Sequence, residues 1–160
     1  MGYSLVSEDA MKKIDLEKLP VRGGSGYPPP YNAQCLERTR RQLGEAAGLA
    51  QFGVNLLRLP HGQWSSQRHW HTHEDEFIWV VEGEVVLVID DGEETLRAGD
   101  CAGFKAGEKN GHQLQNRSGA DAVVLEVGSR SMDDACDYPD LDMIVGPGDA
   151  PYRHRDGTPY

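Results

Sequence analysis

The stretch His69-Trp70-His71-Thr72-His73-Glu74-Asp75-Glu76-Phe77-Ile78-Trp79-Val80-Val81-Glu82-Gly83 sets three histidines and three carboxylates at the head of an apolar run with strand character. Imidazole nitrogens beside carboxylate oxygens make the donor set of a divalent metal rather than an ordinary strand end. A second cluster, Asn110-Gly111-His112-Gln113-Leu114-Gln115-Asn116, offers one more nitrogen. On a strand alternate side chains share a face, so His69 and His71 point one way while Arg68 and Trp70 take the other. Glu76 begins the next strand after a short connection, and an antiparallel return brings it beside the pair, with Ile78 and Val80 continuing its face. If the strand carrying His112 runs alongside, it adds a third imidazole, with Leu114 and Asn116 on the same face. Three nitrogens and one oxygen leave open positions on an octahedral ion. They suit manganese, iron, cobalt, nickel or zinc more than calcium or magnesium.

Working outward, short apolar runs are separated by turn signals at nearly regular spacing. Phe52 to Pro60 reads as a strand closed by proline, followed by the His61-Gly62 turn. Strands are expected at Ser65 to His71, Glu76 to Glu82, Glu84 to Ile89, Thr95 to Arg97, Cys101 to Phe104, Gly111 to Asn116 and Ala122 to Val127. Gly83, Asp90-Asp91-Gly92 and Gly99-Asp100 supply the reversals. This is the pattern of an all-β sandwich or barrel rather than of βαβ units. Residues 33–47 read either as a basic helix or as an edge strand, because Arg38, Arg40 and Gln42 alternate with Thr39, Arg41 and Leu43; strand is the preferred reading. Upstream, Gly23-Gly24-Ser25-Gly26-Tyr27-Pro28-Pro29-Pro30 has the composition of an arm, and the prolines rule out a phosphate loop that opens a helix. Beyond Gly128 the chain turns acidic and proline-rich, with an edge strand expected around Met143 to Val145. The reading divides the chain into an N-terminal arm (1–32), a barrel (33–128, with its motif-bearing core at about 50–128) and a C-terminal extension packing on the barrel (129–160).

Composition narrows the function. The chain has 160 residues, 16 basic against 26 acidic, for a formal charge of −10, which argues against nucleic acid as a partner because phosphate binding needs a basic face. Cys35, Cys101 and Cys136 are odd in number, scattered and in no CxxC pair, so neither a disulfide framework nor a thiolate zinc site is expected, and a reducing cytoplasm fits. MGYSLVSEDAMKK lacks an apolar signal region and no run is long enough to span a bilayer, so a cytoplasmic protein with no membrane partner is expected.

The residues resemble the cupins, small β-barrels of two antiparallel sheets, a double-stranded β-helix. The first cupin motif runs Gly, His-x-His, three or four residues, Glu, six residues, Gly; it is similar to Gly62, His69-Trp70-His71, Glu76 and Gly83. The second is similar to Gly99, Lys105-Ala106-Gly107, His112 and Asn116, although Lys105 stands where proline is usual and four residues rather than two separate Gly107 from His112. The likeness implies a cupin barrel with extended terminal arms, one divalent transition metal (Mn, Fe, Ni, Co or Zn) held by His69, His71, Glu76 and His112, and a homodimer. His71-Thr72-His73 is also a His-x-His, but it leaves only two residues before Glu76; His69 with His71 is therefore preferred and His73 becomes a loop or supporting residue.

Among the other residues, Glu74 and Asp75 read as a solvated turn, with one of them able to accept a proton from a ligand histidine. Phe77, Trp79 and Val81, opposite Glu76, read as packing between sheets or subunits. Asn55, Arg58, Gln67, Trp70, Lys105 and Asn116 are within reach of a pocket or else ordinary barrel residues. Cys101 reads as buried filling, His61 and His154 as loop residues. Two functions follow: a metal-dependent isomerase, lyase or dioxygenase acting on a small polar metabolite such as a sugar derivative or oxoacid, or a non-catalytic small-molecule binder or sensor. No residue is assigned as catalytic acid or base at this level.

Overall fold

The computed structural model describes residues 13–148 and 150–160; the first twelve residues of the expected N-terminal arm, and most of MGYSLVSEDAMKK with them, lie outside the described residues. The described chain is all-β apart from short helical turns, the longest being α1 (Leu43–Ala46). Its strands are β1 (Arg22–Gly23), β2 (Thr39–Gln42), β3 (Phe52–Leu59), β4 (Trp70–His71), β5 (Glu76–Glu82), β6 (Glu84–Ile89), β7 (Gly92–Arg97), β8 (Cys101–Phe104), β9 (Gln113–Gln115), β10 (Ala122–Ser129), β11 (Cys136–Tyr138), β12 (Met143–Val145) and β13 (Tyr152–Arg153). One sheet has the order β1-β2-β3-β10-β5-β8. Opposite lie β7-β6-β9 and β13-β12-β11-β4, joined through the bridges Trp64↔Gln115 and His69↔His112. All pairings are antiparallel, and the architecture is the expected double-stranded β-helix.

Strand alternation explains where the core sits. Leu57 and Leu59 of β3, Ile78 and Val80 of β5 and Val124 of β10 point inward and meet Val85, Leu87, Leu96 and Leu114 from the facing sheet. Burying each such side chain contributes about 1.5–3 kcal/mol. One step along each strand on the same inward face, the chemistry changes. Leu57 gives way to Asn55, Val124 to Glu126, and Ile78 to Glu76, while β2 sets Arg40 and Gln42 opposite Leu57 and Asn55. One end of the barrel is therefore an apolar plug and the other a polar chamber. Gly83, between β5 and β6, has φ +79°, and a Cβ there would lie 2.8 Å from the Asp121 carbonyl oxygen, so the reversal admits only glycine without strain.

A second core, Tyr27, Cys35, Tyr138 and Met143, ties the N-terminal arm and the C-terminal extension to the barrel, with Tyr27 and Tyr138 edge to face at 5.7 Å.

Several expectations change. The strand expected at Ser65 to His71 shrinks to β4, because Ser65 Oγ accepts the Leu114 amide and the backbone before β4 holds only isolated pairings. Residues 33–47 combine a helical turn (Ala33–Cys35), the preferred strand (β2) and α1. β12 is not an edge, since β11 and β13 flank it. Cys101 is exposed rather than buried, because Ala102 and Phe104 take the inward positions of β8. Phe77, Trp79 and Val81 are 39%, 46% and 51% exposed on the outer face, so they do not pack between the two sheets of one chain.

Candidate metal centre

Four side chains from three places in the chain converge where the polar chamber begins. His69 and His71 come from the bridge and strand at β4, Glu76 from the first position of β5, and His112 from the residue before β9 that pairs with His69. The Nε2 atoms of His69, His71 and His112 lie 3.7, 3.4 and 2.7 Å from Glu76 Oε2. These separations bracket the roughly 3 Å between neighbouring ligands around one ion at metal–nitrogen distances of about 2.1 Å. His112 approaches Glu76 closely but off the line of a hydrogen bond, so Glu76 Oε2 is buried without a partner. A buried, unpartnered carboxylate oxygen facing three imidazole nitrogens is costly unless a cation completes it. The donor set therefore fits a divalent transition metal.

The surroundings orient the donors. His69 Nδ1 lies 2.9 Å from the Gln67 carbonyl, which fixes its proton there and turns the Nε2 lone pair inward. His71 Nδ1 lies 2.6 Å from Asp134 Oδ2, and Cys136 Sγ stands 3.2 Å from the same nitrogen. His112 stacks on Phe104 at 3.6 Å between ring centroids. Burial pushes His69 down to about 4, so its imidazole is neutral and ready to ligate at neutral pH. Burial works against Glu76 ionising, but the histidines, His112 foremost, outweigh it and hold the carboxyl well below the usual range. Burial would lower His71 too, yet the Cys136 thiol and Glu76 push it up to about 12; a cation at Nε2 takes the place of that proton.

The other residues singled out in the sequence fall elsewhere. His73 is exposed, with its ring on Thr72 Oγ1 at 2.8 Å. Glu74 accepts the Ser131 amide and Asp75 the Ala106 amide, so both fix loops, and the carboxylate that receives the His71 proton is Asp134. Arg58 pairs outward with Asp121, and Gln67 donates to the Tyr31 carbonyl. Asn116 is fully buried and bonds Leu59, Ala120 and Ser118. His61 contacts the Ser118 carbonyl and His154 pairs with Asp142, both in loops.

Two cavities open on the cluster. A slit of about 160 Å³ is lined by Trp70, His71, Leu87, Phe104 and Lys105. The chamber, about 440 Å³, is lined by His69, Glu76 and His112 and by the polar wall of Arg40, Asn55 and Glu126. Arg40 forks onto Glu126 with hydrogen bonds of 2.7 and 2.8 Å and also reaches the Ser65 carbonyl at 3.2 Å. Burial would lower the Arg40 pKa; the Glu126 charge overrides this and raises it. Nothing in the local sequence marked this pair or Asp134. The only available signal for Arg40 was the alternation of Arg38, Arg40 and Gln42 on β2.

Among the described residues no helix is long and apolar enough to cross a membrane. Residues 55–128 match the family model described as cupin domain, and no curated protein matches the chain. Among solved structures, a sugar phosphate isomerase of the cupin superfamily from Silicibacter pomeroyi is 45% identical, with 93% of this chain and 96% of that one covered and a TM-score of 0.88. A protein from Acidithiobacillus ferrooxidans, provisionally named a sugar phosphate isomerase, is 26% identical over 73% of this chain and 74% of its own, with a TM-score of 0.68. A predicted oxalate decarboxylase from Thermotoga maritima shares the fold at 20% identity, covering 75% of this chain and 100% of that one, with a TM-score of 0.62. With these motifs, this topology and a relative matched along nearly its whole length, the chain belongs to the cupin superfamily.

Proposed function

We propose that the chain is a metal-dependent isomerase acting on a small polyhydroxylated carbonyl compound, a sugar or sugar phosphate. The observation that carries this reading is the opening of the His69, His71, Glu76 and His112 donor cluster into a chamber walled by hydrogen-bonding groups. The name borne by the 45% identical relative supports the same substrate class. A divalent cation held by the four residues would polarise a carbonyl and stabilise the charge that develops on its oxygen. The chain's own groups do the rest. Asn55 and Gln42 line the chamber as partners for hydroxyls, and the apolar plug of Leu57, Val80 and Val124 behind them excludes water. Arg38 donates to the Gly24 and Ser65 carbonyls and has no carboxylate in ion-pair contact among the described residues; it is the guanidinium left to receive a phosphate.

The test begins with protein purified without an affinity tag, loaded in turn with manganese, iron, cobalt, nickel and zinc. Its metal content is measured by elemental analysis, and its conversion of aldoses and aldose phosphates to ketoses is followed. One ion per chain and turnover of at least one sugar are expected, both lost in His71→Ala and Glu76→Ala. A metal-loaded protein that interconverts no sugar rules the reading out.

A second copy of the chain is the partner we propose for the outer face of the large sheet. Phe52, Phe77, Trp79 and Val81 are exposed there, with Leu56, Leu125 and Val127 between them in register. The strands β3, β10 and β5, about 4.8 Å apart and about 23–26 Å long, with the four-residue β2 and β8 at their sides, project a face of about 500 Å², enough for the apolar centre of an interface to which each partner contributes ~800 Å². An apolar face of this kind matches itself across a two-fold axis. Light scattering should find a dimer that Trp79→Asp converts to monomer; a monomeric wild type refutes the pairing.

A further inference from the structure

Resting on the isomerase reading above, we infer that Glu126 is the carboxylate that moves the substrate proton, and that Arg40 holds it in place. Glu126 points into the chamber from β10, between Asn55 of β3 and Ile78 of β5. Glu76, also inward, pairs with Gly128, two positions along β10 from Glu126. Such diagonal neighbours on one sheet face stand about 7–8 Å apart. That gap suits the two adjoining carbons of a carbonyl compound whose oxygen faces the metal cluster.

The position is not one a barrel needs for stability. On the same three strands the next inward residues are Leu57, Val124 and Val80, and an apolar trio would continue the plug. Even half-buried, with side chains 26% and 20% exposed, an ion pair in that place costs desolvation that hydrophobic packing would avoid. The pair instead faces a cavity that it shares with His69, Glu76 and His112. The Arg40 fork fixes both carboxylate oxygens in one orientation at 2.7 and 2.8 Å. Access is built in as well. Gly53 and Gly128 pair directly, and Gly128 is the register partner of Glu76, so two successive inward positions beside the cluster carry no side chain. A Cβ on Gly128 would meet Glu76 Cγ at 3.8 Å, and one on Gly53 would meet Arg130 Nη2 at 3.5 Å.

The chemistry balances without an outside reagent. Glu126 takes the proton from the carbon beside the carbonyl of an aldose. The C–H electron pair becomes a carbon–carbon double bond and the carbonyl π pair moves onto oxygen, giving an enediolate. The proton then returns to the former carbonyl carbon, the neighbouring hydroxyl gives up its proton to the new alkoxide, and the product is the ketose. Nothing is oxidised or reduced overall. Positioned proton transfer of this kind contributes about 10²–10⁴-fold to rate.

The experiment uses the full chain loaded with manganese and a panel of D-glucose 6-phosphate, D-mannose 6-phosphate, D-ribose 5-phosphate and the corresponding free sugars. In deuterated water, interconversion and deuterium incorporation next to the carbonyl are read by mass spectrometry after quenching. Wild type should interconvert at least one sugar. Glu126→Gln, which keeps the shape of the side chain, should lose kcat and deuterium incorporation by at least 100-fold, with KM changed by less than about fivefold and with metal content and melting temperature held. If Glu126→Gln does not fold, Glu126→Asp, which keeps the charge but withdraws it by one methylene, should lose at least tenfold in kcat. Either variant turning over within threefold of wild type overturns the role of Glu126 while leaving the isomerase reading intact. Wild type inert toward the whole panel with full metal overturns both.

Discussion

Replacing Asp134 by asparagine separates metal binding from folding. Asp134 Oδ2 lies 2.6 Å from His71 Nδ1, and Oδ1 receives the His73 amide at 2.8 Å and the Thr72 hydroxyl at 3.4 Å, in a side chain only 10% exposed. Asparagine keeps its oxygen on the His73 amide and must present its NH₂ to His71 Nδ1. Two donors cannot face each other, so the imidazole proton moves to Nε2, where it points at Glu76 and blocks the lone pair a metal needs. Losing the outer partner of a ligating histidine costs about 10–100-fold in metal affinity, equivalent to about 1.4–2.7 kcal/mol. Competition titration against a chromophoric chelator at pH 7.5 measures this directly. The His73 amide hydrogen bond survives in Asp134→Asn, so the chelator-treated variant should keep a single cooperative thermal transition. Asp134→Ala should show the same affinity loss together with a larger fall in stability. An Asp134→Asn protein that binds zinc and manganese within twofold of wild type would refute the claim that Asp134 sets the His71 tautomer.

Two other outcomes follow from groups away from the metal. Asn116 is 1% exposed and makes four side-chain hydrogen bonds, donating to the Leu59 and Ala120 carbonyls at 2.7 and 2.8 Å and accepting from the Ser118 amide and hydroxyl at 2.9 and 2.7 Å; Asn116→Ala should cost about 3 kcal/mol and roughly 6–12 °C in melting temperature, with metal affinity unchanged, and a loss under 1 kcal/mol in a denaturant titration would contradict it. The Arg68 hydrogen bond holds the Asp140 carboxyl below its ordinary value, against the opposing pull of partial burial. A depressed carboxylate stabilises above its unfolded pKa of 3.8 and loses that contribution as pH falls through the lower folded value. Arg68→Met should therefore be less stable than wild type at pH 7, with part of the gap closing as the pH falls below 3.8. Because Asp140 is 57% exposed, this pair's share stays under about 1 kcal/mol. Parallel melting curves with no narrowing at acid pH would remove the pair from the account.

The legible parts of the chain are those whose meaning lies within one strand. Alternation in Glu76 to Glu82 states that Ile78 and Val80 face inward with Glu76, and the parity of His69 and His71 gives both imidazoles one side; the structure gathers donor atoms of His69, His71 and Glu76 within 4.8 Å of one another and sets His112 2.7 Å from Glu76. The same parity misjudged only where it was not applied. Phe104 faces inward beside Glu76, so Cys101, three positions back, must face out, and its small apolar character misled. The strand expected at Ser65 to His71 is shorter because serine hydroxyls capture backbone groups that a ladder would otherwise use. The partners of the site were not legible, since they are made by the fold. Arg40 meets Glu126 across 86 residues, and His71 meets Asp134 across 63.

That distance in sequence changes how the C-terminal extension is understood. Residues 129–160 lie past the stretch that matches the cupin model, 55–128, and read alone they are an acidic tail. Yet β11 pairs with β4 through Cys136↔His71 and Asp137↔Trp70, which puts alternate residues of the extension against the candidate metal cluster. Asp134 reaches His71 Nδ1, Cys136 lies 3.2 Å from the same atom, and the Tyr138 ring sits 5.7 Å from that of His69 while anchoring the second core with Tyr27. The short strand β4 has only two residues, and its pairing with β11 is what holds His71 rigid beside the irregular backbone of 65–69. A histidine on an unpaired two-residue strand would lose the orientation that metal binding demands. The barrel motifs therefore supply the candidate donors, and the extension supplies the geometry that makes them converge.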